Sequence, residues 1–234
     1  MSRLREGSSA RRYPRHVSEI PAAATLVLLR DGDAGAIEVL LLQRPDRGSF
    51  AGGWVFPGGR VEPADAAHAE GDDQVAARQA AVRETEEETG LVIDPGTLVP
   101  LSHWTPPEGL ATPFITWFFV APTTSGELRL HEAEAVAAEW LKPAEALKRH
   151  GAGQMRLFPP TWITLDSLLA YPTVDAALAA IGRREPRRYA TKQDAERQLV
   201  RWHGDEGYDG APDTDEGPRH RLLMHVRPWR LEHR

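Results

Sequence analysis

Cysteine is absent from this chain of 234 residues. That excludes disulfides, thiolate zinc sites and cysteine nucleophiles together. Long apolar runs are missing too: no stretch approaches the roughly 20 residues that a membrane helix needs. The N-terminus lacks the apolar core of a signal peptide, so the expected location is cytoplasmic. Positive charge is in deficit, with a net charge of −6. This argues against general nucleic-acid binding but not against a nucleotide drawn in by a local cationic patch. What is present, 41% hydrophobic and 26% charged residues, is ordinary for a soluble enzyme with a real core.

Residues 1–19 carry Arg3, Arg5, Arg11, Arg12 and Arg15 against Glu6 and Glu19, and are expected to be a disordered basic leader. Residues 20–182 read as one domain and 183–234 as an extension. Ala22 to Arg30 and Ile37 to Arg44 are expected to pair as strands around the turn Asp31 to Gly35. Trp54 to Phe56 is a short strand leading into Gly58-Gly59. A helix is expected from a cap at Asp72 or Asp73 to about Thr89, with alanines at 76, 77, 80 and 81 permitting close packing on a sheet. Leu98 to Trp104, Phe114 to Ala121 and Val136 to Leu141 read as strands, and Pro143 to His150, Thr161 to Ala170 and Val174 to Ile181 as helices. In the extension, Gln198 to His203 and His220 to Val226 are expected to form a β-hairpin packing on the domain or on a dimer partner. This order of elements suits an α+β fold, an α/β/α sandwich around a mixed sheet.

The run Arg83 to Leu91 (RETEEETGL) carries the chemistry. A helix turns about 100° per residue, so Glu84, Glu87 and Glu88 fall on one face while Glu86 points away. Three stacked carboxylates repel unless something positive sits among them. A hard divalent cation suits oxygen ligands, Mg²⁺ or Mn²⁺ ahead of Zn²⁺. Gly90 is placed to end the helix. Such a run is also what a solvated helical face looks like, and the upstream context decides between the two. Phe56-Pro57-Gly58-Gly59 follows an apolar strand, and paired glycines let backbone approach a ligand closely.

With Gly59, Arg83-Glu84, Glu87-Glu88 and Gly90 in that order, the chain resembles the Nudix hydrolase family, whose signature reads G-x5-E-x7-R-E-U-x-E-E-x-G-U, U being bulky and apolar. Thr85 stands where an aliphatic residue is usual, and Asp65 where the first Glu is expected. An insertion, Ala66 to Val75, separates the two halves of the signature. A surface loop lengthens at small entropic cost. Leu40 to Arg44, then Gly52-x-x-x-Phe56-Pro57-Gly58-Gly59 and Pro159-Pro160-Thr161, are similar to the coenzyme A diphosphatase branch. Glu62, Gly48, Pro113, Ile115 and Trp117 depart from that branch's acidic and basic positions. The absence of cysteine counts against the isopentenyl diphosphate isomerase branch.

The resemblance implies a catalytic loop-helix-loop. Glu84, Glu87 and Glu88 would hold Mg²⁺ or Mn²⁺ together with a backbone carbonyl at Gly58-Gly59, and Arg83 would brace the glutamates. Arg83 also reads as a simple i,i+4 partner of Glu87. Arg44 and Arg47 are the expected phosphate clamps. Gly58 and Gly59 would face the substrate, and Trp104, Phe114 and Trp117 would stack a base, line a groove or pack in the core. The general base is open among Glu88, Glu84, Glu132 and Glu134. The expected activity is hydrolysis of a diphosphate linking a nucleoside to another group, with coenzyme A or an acyl-coenzyme A first, then ADP-ribose, NADH and dinucleoside polyphosphates. The alternative is a nucleotide-binding regulator that no longer hydrolyses. A small-molecule partner is expected in either case, with no nucleic acid or membrane, and a homodimer is compatible.

Overall fold

Alternation along three apolar strands builds both faces of the main sheet. In the computed structural model, which describes residues 20–48, 50–67, 69–123, 126–131 and 133–234, β1 (Ala22–Asp31) sends Ala24, Leu26 and Leu28 to one face and Val27 and Leu29 to the other. β2 (Ile37–Gln43) and β6 (Ile115–Pro122) do the same: Leu40, Leu42, Trp117 and Phe119 join the first group, and Val39, Leu41, Phe118 and Val120 the second. A strand buried on both faces must be apolar at every position. The expected leader, residues 1–19, lies outside the described residues.

The sheet is mixed. β1 runs parallel to β6 along its length. Its other edge is shared by β4 (Gly58–Arg60) and β2, both antiparallel to it. β2 also pairs with β3 (Trp54–Val55) and β7 (Ala137–Leu141), and β6 pairs with β5 (Val99–Thr105). After the short helix α1 (Pro63–Ala66), α2 (Asp73–Thr89) covers the first face through Ala77, Ala80 and Ala81, each fully buried. The second face is covered by α3 (Pro143–Gly151), α4 (Pro159–Leu168) and α5 (Val174–Gly182).

Past residue 182 the chain does more than form a hairpin. β8 (Arg187–Ala190) adds itself to the main sheet, parallel to β5. β9 (Lys192–Asp194), β10 (Leu199–Arg201), β11 (His220–Leu223) and β12 (Arg230–His233) then make a separate antiparallel sheet in the order β12-β11-β10-β9. Tyr189 stacks on Trp104 at 4.0 Å, and the fully buried Trp202 meets Trp104 edge-on. The small sheet is therefore joined to the main one through aromatic contacts rather than strand pairing. Ion pairs close its outer side: Asp205 and Asp213 are held by Arg201 and Arg221, with Arg221 Nε 2.6 Å from Asp205. Among the described residues no helix is long and apolar enough to cross a membrane.

Candidate functional site

Two glycines and one helix bring the acidic residues together. The Asp72 carboxylate caps α2 by accepting from the amides of Gln74 and Val75, and Gly90 ends it in the left-handed conformation at φ 72°. Between these ends, Thr85 fills its buried position by donating its hydroxyl to Ala81 O at 2.7 Å. A threonine thus serves where an aliphatic residue is usual, because its own helix satisfies the hydroxyl. Gly58 lies at φ 153°, and a Cβ there would sit 2.2 Å from Ala24 O. A Cβ on Gly59 would sit 2.3 Å from the carboxyl carbon of Glu84. The helix carboxylates pack directly on this glycine backbone, which no side chain could share.

Glu88 is 2% exposed. One of its oxygens accepts from the Gly58 amide and the other from Arg44 Nη1, both at 2.9 Å. Burial outweighs these donors and pushes its carboxyl up to about 8. Burial also raises the half-buried Glu84. Glu87 is the exposed member of the face.

Arg83 links this group to the segment between the glycine turn and the insertion. It donates from Nε and Nη2 to Asp65 at 3.1 and 3.0 Å, from Nη1 to Glu84 and Glu87, and from Nη2 to Arg60 O. The Asp65 hydrogen bond, first among these influences, holds the guanidinium even more firmly charged. Asp65, whose role the sequence left open, is buried and anchors Arg83. It also joins Glu62 in a capping box that starts α1. No spacing rule pointed to this contact.

A second strand of chain reaches the face. The Arg129 and His131 amides donate to Thr89 O and Glu88 O at the end of α2, and this carries Glu134 to 3.4 Å from Arg44 Nη1. Glu132 lies outside the described residues.

Five carboxylates (Asp65, Glu84, Glu87, Glu88, Glu134) therefore share two guanidinium groups, Arg44 and Arg83. By type, carboxylates beside a backbone carbonyl are the donor set of a hard divalent cation, and here the carboxylates outnumber the guanidinium groups. Among the described residues, however, no three such side chains are gathered closely enough to hold a metal ion. Arg83 instead takes the oxygens of Glu84 and Glu87.

A cavity of about 1100 Å³ adjoins the glycine turn, on the sheet face opposite α2. Arg44, Gly58, Gly59, Arg60, Trp104 and Phe114 line it. Arg60 lies over the Phe114 ring at 5.0 Å. Trp117 is not among the residues that line the cavity. One strand position decides its face, and it packs with Phe119 on the α2 side, away from the cavity. Arg47 is exposed on the loop after β2 and is not among the lining residues. The lining also includes Met155, Arg156 and Phe158 between α3 and α4, and Met224, Arg227 and Trp229 from the C-terminal sheet. Nothing in the sequence singled these out.

The NUDIX domain family matches residues 20–160. The chain is 35% identical over 122 residues to the CTP pyrophosphohydrolase of Escherichia coli (strain K12), a match that covers 52% of this chain and 76% of that protein. It is also similar to the crystal structure of a NUDIX hydrolase from Alicyclobacillus acidocaldarius, with a TM-score of 0.65 and 28% identity over 71% of this chain and 99% of the other.

Proposed function

The chain belongs to the NUDIX family, and on that premise we propose that it hydrolyses a diphosphate bond in a nucleotide, through the face formed by Glu84, Glu87, Glu88 and the Gly58-Gly59 turn. The observation that carries this reading is the excess of carboxylate at that face, opening beside a cavity large enough for a nucleotide. Pockets of about 300–1,000 Å³ hold ligands of that size.

Glu84, Glu87, Glu88 and the Gly58 carbonyl are the proposed holders of Mg²⁺ or Mn²⁺. When bound, the ion would neutralise phosphate oxygens and lower the pKa of a water. The chain's own residues supply the rest. Asp65 fixes Arg83, and Arg83 fixes Glu84 and Glu87, by charge-assisted hydrogen bonds. Arg44 holds Glu88 and offers its remaining donors to a phosphate. Glu134 is the preferred general base, because it is 44% exposed and shares only a long contact with Arg44, whereas both Glu88 oxygens are engaged. The attacking water forms the new P–O bond as its proton passes to Glu134, and the bond to the departing phosphate breaks.

For the substrate, coenzyme A or an acyl-coenzyme A is proposed first. The run Leu40 to Arg44, Phe56 to Gly59 and Pro159-Pro160-Thr161 support this, as does the apolar wall of the cavity. A nucleoside triphosphate split to monophosphate and pyrophosphate is the second reading, favoured by the 35% identity to a CTP pyrophosphohydrolase. The test is incubation with Mg²⁺ and a panel of coenzyme A, CTP, NADH, ADP-ribose and diadenosine polyphosphates, with products identified by mass. Turnover of at least one compound, abolished by chelator, is expected. No turnover across the panel would leave the regulator reading in its place.

A further inference from the structure

Residues beyond the family match contribute a wall to the cavity that adjoins the Gly58-Gly59 turn. Val200, Met224 and Trp229 all belong to the C-terminal sheet or its loops, and they line the same cavity as Gly58, Gly59 and Arg44. Opposite chemistry meets here. The glycine turn presents backbone and cations to an anion, while the C-terminal wall presents a thioether, an indole and a branched aliphatic side chain. Two further apolar lining residues are left to solvent: Phe50 is 49% and Leu110 46% exposed. Phe50 is moreover held at φ 60°, a conformation rare for a bulky residue, with its ring edge-on to Phe158 at 4.8 Å. Large apolar side chains left open around one cavity mark a binding surface rather than a core.

We propose that the C-terminal sheet completes an apolar subsite, formed by Phe50, Leu110, Phe158, Val200, Met224 and Trp229, which takes an alkyl or acyl arm attached to the nucleotide substrate. The subsite rests on the reading of the cavity as the substrate site, and it deepens that reading to one substrate class: a nucleoside diphosphate esterified to a chain with an apolar end. Trp229 is fixed for the purpose by its edge contact with the His150 ring at 4.3 Å. Met224 is only partly buried and has an adaptable side chain suited to an arm of variable length.

The test is calorimetric binding in the presence of chelator, so that nothing is turned over, with coenzyme A and octanoyl-coenzyme A as probes. Octanoyl-coenzyme A is expected to bind at least 10-fold tighter than coenzyme A. That gain should shrink at least 5-fold in Met224→Gln, which keeps the volume of the side chain, and in Phe50→Ala, where the exposed ring contributes little to folding. Equal binding of the two probes, no binding of either, or a gain that survives both substitutions would overturn the subsite. Turnover measured in parallel separates the two readings. Hydrolysis of compact nucleotides without an acyl preference removes the subsite and leaves the hydrolase. Tight acyl binding with no turnover of any compound removes the hydrolase and leaves the subsite.

Discussion

Two clusters of charge, one in the C-terminal sheet and one around α2, are built to opposite rules. Around Asp205, three aspartates (Asp194, Asp205, Asp213) share three arginines, Arg197, Arg201 and Arg221. Burial would raise Asp205, but donors from Arg221, the His220 amide and the Gly207 amide outweigh it and hold the carboxyl low. The Arg221 hydrogen bond holds Asp213 down at about 2. Around Glu88, five carboxylates share two guanidinium groups, and burial raises Glu88 to about 8. Both clusters are rich in Asp, Glu and Arg, so composition does not tell them apart. Balance does: in the matched cluster aspartates and arginines are equal in number, while around Glu88 five carboxylates face two guanidinium groups. In these two clusters the carboxyls shift in opposite directions: donors hold Asp205 and Asp213 low, while burial raises Glu84 and Glu88.

The largest effect should come from breaking the balanced cluster. Asp205→Ala leaves Arg221 buried beside a missing partner, which costs about 3–5 kcal/mol in urea unfolding. Turnover of a compact nucleotide by the folded protein should change less than twofold. Equal losses of stability and turnover would erase the distinction drawn between the clusters.

In the unbalanced cluster the pattern should invert. Glu88→Gln is expected to lower turnover at least 100-fold, about 2.7 kcal/mol, without lowering the melting temperature of the metal-free protein, because burial already favours an uncharged side chain there. Wild-type rates in Glu88→Gln would take Glu88 out of the chemistry.

The two clusters should also respond to pH with opposite sign. Asp213 has a folded value below its unfolded one, so its contribution is present above about pH 4 and is lost as pH falls toward 2. It amounts to roughly 1–2 kcal/mol and should vanish in Asp213→Asn. Glu88 has a folded value above its unfolded one, so the folded state holds the extra proton. Metal-free stability should therefore decline on its account as pH rises from about 5 to 8. Urea titrations across both windows, with Glu88→Gln flattening the upper one, would check the pair of slopes. A rise through the upper window that depends on Glu88 would reverse the reading of that cluster.

The smallest effect should be at the brace. Asp65→Asn keeps the fold of α1 but weakens the anchor of Arg83, and about a tenfold loss of turnover, near 1.4 kcal/mol, is expected. If Asp65→Asn matched Glu88→Gln, Asp65 would belong to the reacting group itself rather than to its support.

Much of the fold could be read along the chain, because its signals are local. The ends of α2 follow from Asp72 and Gly90, and the faces of β1, β2 and β6 from alternation. The positions of Glu84, Glu87 and Glu88 follow from helical pitch alone. Trp104 and Trp117 mark where such reading stops. Both are aromatic residues on neighbouring strands, yet one lines the cavity and the other packs beneath α2: alternation along β6 sets the side of Trp117, while that of Trp104 follows a bulge in β5 between Pro100 and Ser102. The C-terminal segment was harder still. Its short strands carry arginines at positions that read as exposed, and only the aspartates of the intervening loop make burying them tolerable.

The sequence by itself determined the acidic face, since three carboxylates at i, i+3 and i+4 on a capped helix must share one side whatever surrounds them. It also determined the glycine turn that lets those carboxylates approach backbone. Only the tertiary structure decided what stands around that face. Asp65 reaches Arg83 across 18 residues, Arg44 reaches Glu88 across 44, and Glu134 reaches Arg44 across 90. The C-terminal sheet closes a cavity that the family-matched residues leave open. Pitch and capping are properties of neighbours in the chain. Charge balance and enclosure are properties of neighbours in space, and these arise only when the layers pack.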